Sequence, residues 1–284
     1  MSTTVSRTQA FCARFGLQVP VLLAPMAGVP APALSIAVAQ AGGLGACGVL
    51  MMQPREILDW AQQVREGAGD AFQLNLWIPD PPPQRDRARE ARVREFLSRW
   101  GPPVAAEAGD APLPAFAAQC QALLSARPRI ISSIMGLYPP DFIAAIRQHG
   151  ISWFATVSTV AEARAAQAAG ADVIVAQGME AGGHRASFDA LRAEQQQVGL
   201  FALLPAVLDA VSVPVVATGG IADARGIAAA LLLGASAVQI GTGFLRCPEA
   251  GIQPAWADAL ARTAPEDTLV SRAHAPEVKE VILA

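Results

Sequence analysis

A histidine behind two glycines, in the run QGMEAGGHR at 177–185, carries the clearest chemical signal in this chain. An imidazole suits general base work near neutral pH. Gly182 and Gly183, directly before His184, let a backbone fold closely over a planar ring. The chain has only three histidines, and the other two, His149 at a helix end and His274 near the C-terminus, read as surface residues. Arg185 could attract an anionic substrate or a phosphate, or form a surface ion pair. Glu180 could orient the loop or stand in solvent.

A second constellation is rich in glycine. ATGGIADARGIAAAL holds Gly219 and Gly220, which bring backbone close to an anion, ahead of a helix whose N-terminus offers free N–H groups. QIGTGF adds Gly241 and Thr242, with backbone and hydroxyl donors. Either stretch alone reads as a tight turn; both together, on adjacent strands, predict phosphate binding. Three amides, Asn75 inside FQLNLWI, Gln177 and Gln239, interrupt or end apolar runs. A buried amide is costly unless its hydrogen bonds are met. Three of them at one site suggest a polar heterocycle that donates and accepts in the plane of its ring, a description a flavin fits. No cluster of residues has metal-ligand spacing.

The elements that must position these groups repeat as strand then helix. Runs at 21–28, 44–50, 71–78, 129–136, 151–158, 171–178, 213–220 and 235–244 read as eight buried strands, separated by alanine-rich helical runs. Eight strand–helix units predict an α/β fold, a TIM (β/α)8 barrel, over 1–250. The rival is an open doubly wound sheet, which would carry its glycine-rich turn after the first strand; here these turns come late. The segment 79–114, proline-rich at its ends and charged in its middle, reads as an insertion after the third strand with a short exposed helix at 85–100. It could be a lid, an oligomer contact or a solvated excursion. Residues 251–284 read as a short C-terminal helical tail.

Composition narrows the function classes. The 284 residues are 52% hydrophobic and 16% charged, enough apolar matter for a large core. A net charge of −3 gives no reason to expect nucleic acid or an anionic membrane as partner. The four cysteines lie far apart, which predicts reduced thiols and a cytoplasmic location. No secretory leader and no apolar run of roughly 20 residues is evident.

The motifs APMAGV, AQAGGLG, FQLNLWIP, AQGMEAGGHR, VPVVATGGIADARGIAAALLLGA and VQIGTGFLRCPEA run in order over most of the chain. In that order the chain resembles the nitronate monooxygenases, formerly 2-nitropropane dioxygenases, which are FMN-dependent TIM barrels. The resemblance implies oxidation of a nitronate or nitroalkane by O2 to a carbonyl compound and nitrite. It implies that His184 is the catalytic histidine. Asn75, Gln177, Gly182, Gly220, Gln239, Ile240, Gly241 and Thr242 match positions that contact FMN; Gly183 and Gly219 join them as neighbours in the same turns. Ala24, Pro25 and Met26 match the first-strand end beside the flavin ring. An NAD(P)H-dependent reductase of the same superfamily, acting on an enoyl-acyl carrier or a quinone, and a degenerate FMN-binding member are the alternatives, and a homodimer is open. The ending TLVSRAHAPEVKEVILA does not resemble the segment that covers the site in that family, so a shortened C-terminus and a wetter flavin are expected. Tyr138, after the fourth strand, is the one tyrosine available near the site.

Overall fold

The computed structural model describes residues 3–27, 29, 31–80, 85–110, 113–272 and 279–282. At its centre stand eight parallel strands: β1 (Val21–Leu23), β2 (Gly45–Gly48), β3 (Phe72–Trp77), β4 (Ile130–Ile134), β5 (Ser152–Val157), β6 (Val173–Gln177), β7 (Val215–Thr218) and β8 (Ala237–Ile240). From β2 to β8 each strand pairs with the next, and β8 pairs back onto β1. A parallel bridge between Leu22 and Leu44 joins β1 to β2 and closes the ring. The fold is therefore the expected (β/α)8 barrel, and the open sheet is excluded.

Local chemistry sets the helices. Proline opens α2 (Pro32–Gln40), α3 (Pro54–Ala68) and α6 (Pro140–Gln148), where a missing N–H costs nothing. α7 (Val160–Ala169) starts on a Thr159–Glu162 capping box and stops at Gly170 in the left-handed region. The exposed histidine His149 caps the C-terminus of α6. His274 and Gly28, the latter in the first strand run, lie outside the described residues.

Residues paired across parallel strands share a face of the sheet. Register and contacts therefore divide the barrel. One face of each strand packs on the helices in a cluster that includes Leu74, Ile131, Trp153, Ile174 and Val238. The other face fills the interior. At the N-terminal end it is apolar: Leu22, Leu44, Ile130, Phe154, Val173, Val216 and Ala237 pack with Phe11 and Phe15 of α1 (Thr3–Phe15). Phe15 meets Phe154 edge-on at 5.1 Å between centroids, so α1 plugs the bottom of the barrel. Toward the C-terminal end the interior turns polar.

Two segments depart from the repeat. After β3, Asp86 accepts from the N–H groups of Ala88 and Arg89 and caps α4 (Arg87–Leu97). This helix lies within the expected span, buries none of its residues, and is tied at its base by Arg85, which pairs with both Glu90 and Asp110. After the barrel, α10 (Pro254–Arg262) gives way to antiparallel strands at Thr268–Ser271 and Lys279–Ile282. The second of these pairs with Gly183–His184, Lys279 opposite His184. The tail is thus helical only in its first part, and it returns over the histidine loop.

Candidate active site

The polar end of the interior is a layer of buried amides and hydroxyls. Asn75, Ser132, Thr156, Gln177, Thr218 and Gln239 are each no more than 6% exposed. Gln177, Thr218 and Gln239 lie in register on β6, β7 and β8, and Asn75 lies opposite Ser132 on β3 and β4. Asn75 Nδ2 donates to Ser132 Oγ at 3.0 Å, and Thr218 Oγ1 donates to the Gln239 carbonyl at 2.9 Å. One level deeper, Gln73 Nε2 donates across the barrel to Gln239 Oε1 at 3.1 Å and to the Leu23 carbonyl at 3.2 Å. Gln73 Oε1 is buried and lacks a hydrogen-bond partner. Such an acceptor is costly unless a donor reaches it. Sequence reading singled out Asn75 but not Gln73, Ser132, Thr156 or Trp77. The period-two alternation of FQLNLW puts Gln73, Asn75 and Trp77 on one face and was the signal available.

The three amides are all buried, and each has its own partner; that of Gln177 is the histidine loop. Gln177 Nε2 donates to the His184 carbonyl at 3.0 Å, and its Oε1 accepts from the Ala186 N–H at 2.8 Å. Arg185 is buried rather than at the surface. It is 3% exposed, with Nη1 donating to the Gly178 carbonyl at 2.9 Å and Nη2 to the Gln177 carbonyl at 3.4 Å. Glu180 is exposed and also ties the loop: its carboxylate accepts from the Leu200 N–H at 2.9 and 3.0 Å and caps α8 (Leu200–Ala210) across the loop. Further along, buried Glu162 accepts from Ser158 and Thr159 with one oxygen and from the Phe188 N–H with the other. Arg272 donates to the Ala190 carbonyl and pairs with Glu194, so the tail also holds this loop. His184 is half-buried, its ring 4.4 Å from Trp77 at 61°.

The glycine turns gather beside it. Gly183, Gly219 and Gly220 all have positive φ, at 81°, 114° and 65°. A Cβ on Gly219 would meet Ala181 N at 3.1 Å and Gly178 O at 3.2 Å; one on Gly182 would meet Thr242 Oγ1 at 2.7 Å; one on Gly241 would meet Ala24 Cβ at 3.2 Å and Met26 Sδ at 3.6 Å. The ends of β1, β6, β7 and β8 are therefore in mutual contact, with Ala24, Pro25 and Met26 half-buried on one side. Ile240 packs its side chain in the helix-facing layer, leaving only its backbone for this end, and its carbonyl accepts from Ala24. The expected free N-terminus of α9 (Ala224–Leu233) is absent, because Asp223 accepts from Arg225 and Gly226 and caps it. Its hydrogen bonds from Arg225 hold the Asp223 carboxyl below the usual carboxylate range, so the cap stays negative. An anion at this end is left with the Gly219–Gly220 turn and with Gly241–Thr242 at the short helix Thr242–Phe244.

Tyr138 does not belong to the site. It is 2% exposed, donates to the Ser132 carbonyl at 2.9 Å, and meets Phe142 edge-on at 4.8 Å in the helix-facing layer. Burial pushes its phenol well above the ordinary value. Tyr138→Phe is expected to lower stability by about 1 kcal/mol, one lost hydrogen bond. Cofactor content should stay unchanged; loss of bound cofactor in a folded Tyr138→Phe protein would contradict this placement. A cleft of about 230 Å³ lined by Arg65, Asp70, Ser125, Ala126 and Arg127 lies at the opposite end, before β3 and β4, away from every residue of the histidine loop.

Residues 9–279 match the family model described as nitronate monooxygenase. The chain is 38% identical over 275 residues to a nitronate monooxygenase of Pseudomonas aeruginosa, covering 93% of this chain and 78% of that protein. It is 39% identical over 251 residues to one from Paraburkholderia phytofirmans, covering 86% and 68%. Among solved structures, a nitroalkane oxidase from Streptomyces ansochromogenes aligns with a TM-score of 0.84 at 31% identity, over 96% of this chain and 79% of that one. FabK from Thermotoga maritima aligns with a TM-score of 0.75 at 26% identity, over 96% and 74%.

Proposed function

The chain belongs to the nitronate monooxygenase family, and from that premise we propose that it uses FMN and O2 to convert alkyl nitronates, or the nitroalkanes that yield them, to a carbonyl compound and nitrite. The observation that carries this reading is His184, held against Trp77 on the loop after β6, beside the polar end of the barrel interior.

The residues present fit FMN. Gln73 Oε1 offers an unpartnered acceptor within a buried polar layer, the kind of group a ring N–H or a bridging water satisfies. The glycines at 182, 219, 220 and 241 let the turns at this end approach one another more closely than a Cβ would allow, which brings their backbone donors together. In this reading Asn75 and Gln239 face the ring system, and Ala24, Pro25 and Met26 line its side. Gly182 and Gly183 fold over it, with Gln177 fixing their loop from below. Gly219, Gly220, Gly241 and Thr242 hold the phosphate with backbone and hydroxyl donors. Bound there, FMN would supply the electron acceptor and the site of reaction with O2.

The chain's own part is binding, orientation and one proton. A neutral nitroalkane presents an acidic C–H, and a ring nitrogen of His184 accepts that proton as general base. A nitronate arrives already deprotonated and makes no such demand. Trp77 packs an apolar edge beside the imidazole, and the strand at Lys279–Ile282 pairs with the backbone of Gly183–His184.

The family resemblance leaves a second reading, a reductase that takes hydride from NAD(P)H. Anaerobic mixing separates the two. The FMN-loaded protein is expected to change its flavin spectrum within the mixing experiment on addition of a nitronate and to respond little to NADH. Admission of O2 should then release nitrite. Rapid bleaching by NADH with no response to nitronate would replace this function with the reductase. A protein that stays colourless after incubation with FMN would remove both, and one that binds FMN but answers neither reagent would be a degenerate member.

A further inference from the structure

We propose that Arg185 is a positioning residue for His184, holding it in register from inside the loop; this rests on the reading of His184 as the base. The two glycines before the histidine give the loop its close approach, and the same freedom works against precision. Gly183 has a φ of 81° with open space around its Cβ position, so no side-chain packing fixes it, and only its backbone pairing with Glu280 holds it from outside. From inside the protein the hold comes from the other side of the histidine. Arg185 turns back under the loop, almost wholly buried, and its Nη atoms donate to the carbonyls of Gln177 and Gly178 at the end of β6. The Gln177 amide brackets the same point, bonding His184 O and Ala186 N. Residues 177–186 thus form a lasso closed at its base by two side chains, with His184 beside the knot.

The energetics favour a positional role. A buried guanidinium is costly and is kept only where its donors are used. Here those donors meet the carbonyls of Gln177 and Gly178 where the strand ends. A lysine would keep the charge but could not span two carbonyls with a planar fork. A displacement of the base by about 1 Å is enough to cost on the order of 10²-fold in rate.

The test compares Arg185→Lys and Arg185→Met with wild type on two substrates at equal FMN loading: a neutral nitroalkane, which needs a base, and its preformed nitronate, which does not. Arg185→Lys is expected to lower kcat on the neutral substrate by roughly 10²-fold while leaving nitronate turnover within about threefold. Arg185→Met should show the same split at least as strongly. In the His184→Asn background, Arg185→Lys should add no further selective loss, since the two act as one unit. Amide hydrogen exchange of the 178–186 peptide, with and without FMN, should rise by roughly tenfold or more in Arg185→Lys while the barrel strands keep their protection. Equal losses on both substrates, or unchanged exchange in the loop, would overturn the proposal. If wild type turns over neither substrate, the proposed function fails, and with it the positioning role in catalysis; the exchange measurement still decides whether Arg185 holds the loop.

Discussion

His184→Asn is expected to lower kcat on a neutral nitroalkane by about 10²–10⁴-fold, the range for removing a general base. Turnover of a preformed nitronate should fall much less, by roughly tenfold at most, since orientation and the flavin carry that reaction. The acidic limb of the pH profile for the neutral substrate should disappear with the imidazole, because a protonated histidine cannot accept the α-proton. Asparagine is the substitution of choice: it keeps a polar group of similar size against Trp77 and leaves the backbone of Gly183–His184 free to pair as before. The Gln177 bond is to the His184 carbonyl, not to its ring, so the lasso survives the change. FMN binding in the variant is therefore expected to match wild type. Steady-state kinetics with both substrates across pH, on protein of measured flavin content, provide the check. A loss that is the same for both substrates would move His184 from base to binding residue.

How much of this was legible in the sequence depends on how local the cause is. The eight strands stood out because each is a short apolar run closed by glycine or proline turns, and their order follows from the barrel. The histidine loop stood out because Gly182, Gly183 and His184 are adjacent. Side-chain destinations were less visible. Arg185 follows His184 directly, yet it runs back into the protein and bonds the carbonyls at the end of β6; no sequence pattern carries that. The Gln73–Gln239 pair spans 166 positions and exists only once the barrel closes. Tyr138 lies in the connection after β4 and still faces the helices, since the backbone reverses there through Met135 and Gly136, both at positive φ. Asp223 was legible in principle, as an acid just ahead of a helical run is a capping signal, and that cap competes with an anion for the same N–H groups. The tail could not be read because its strands are ordered by pairing with a distant loop.

Gly219→Val is expected to weaken FMN binding by roughly 100-fold or more, about 2.7 kcal/mol. Two causes act together. At φ 114° the backbone is closed to a residue with a Cβ, and most of all to a branched one. Even if that strain were absorbed, the new Cβ would stand 3.1 Å from Ala181 N, 3.2 Å from Gly178 O and 3.3 Å from Ala181 Cβ. Those atoms form the base of the histidine loop, where Gly178 O is also the acceptor for Arg185. Relief must come either from the turn after β7, which would carry its phosphate donors away, or from the loop after β6, which would carry the histidine away. Both routes lead to the site. Strain alone can be separated from this by Gly69→Ala, since Gly69 has a φ of 72°, nothing within 4 Å of its Cβ position, and a place at the far end of the barrel before β3. That control should cost stability, about 1–3 kcal/mol as a lower melting temperature, and leave FMN affinity as it was. Flavin fluorescence titration of the two apo variants reads the difference directly. Near-normal FMN affinity in a folded Gly219→Val protein would mean that the turn after β7 is not a phosphate cradle. The anion would then have to be held by Gly241 and Thr242 alone.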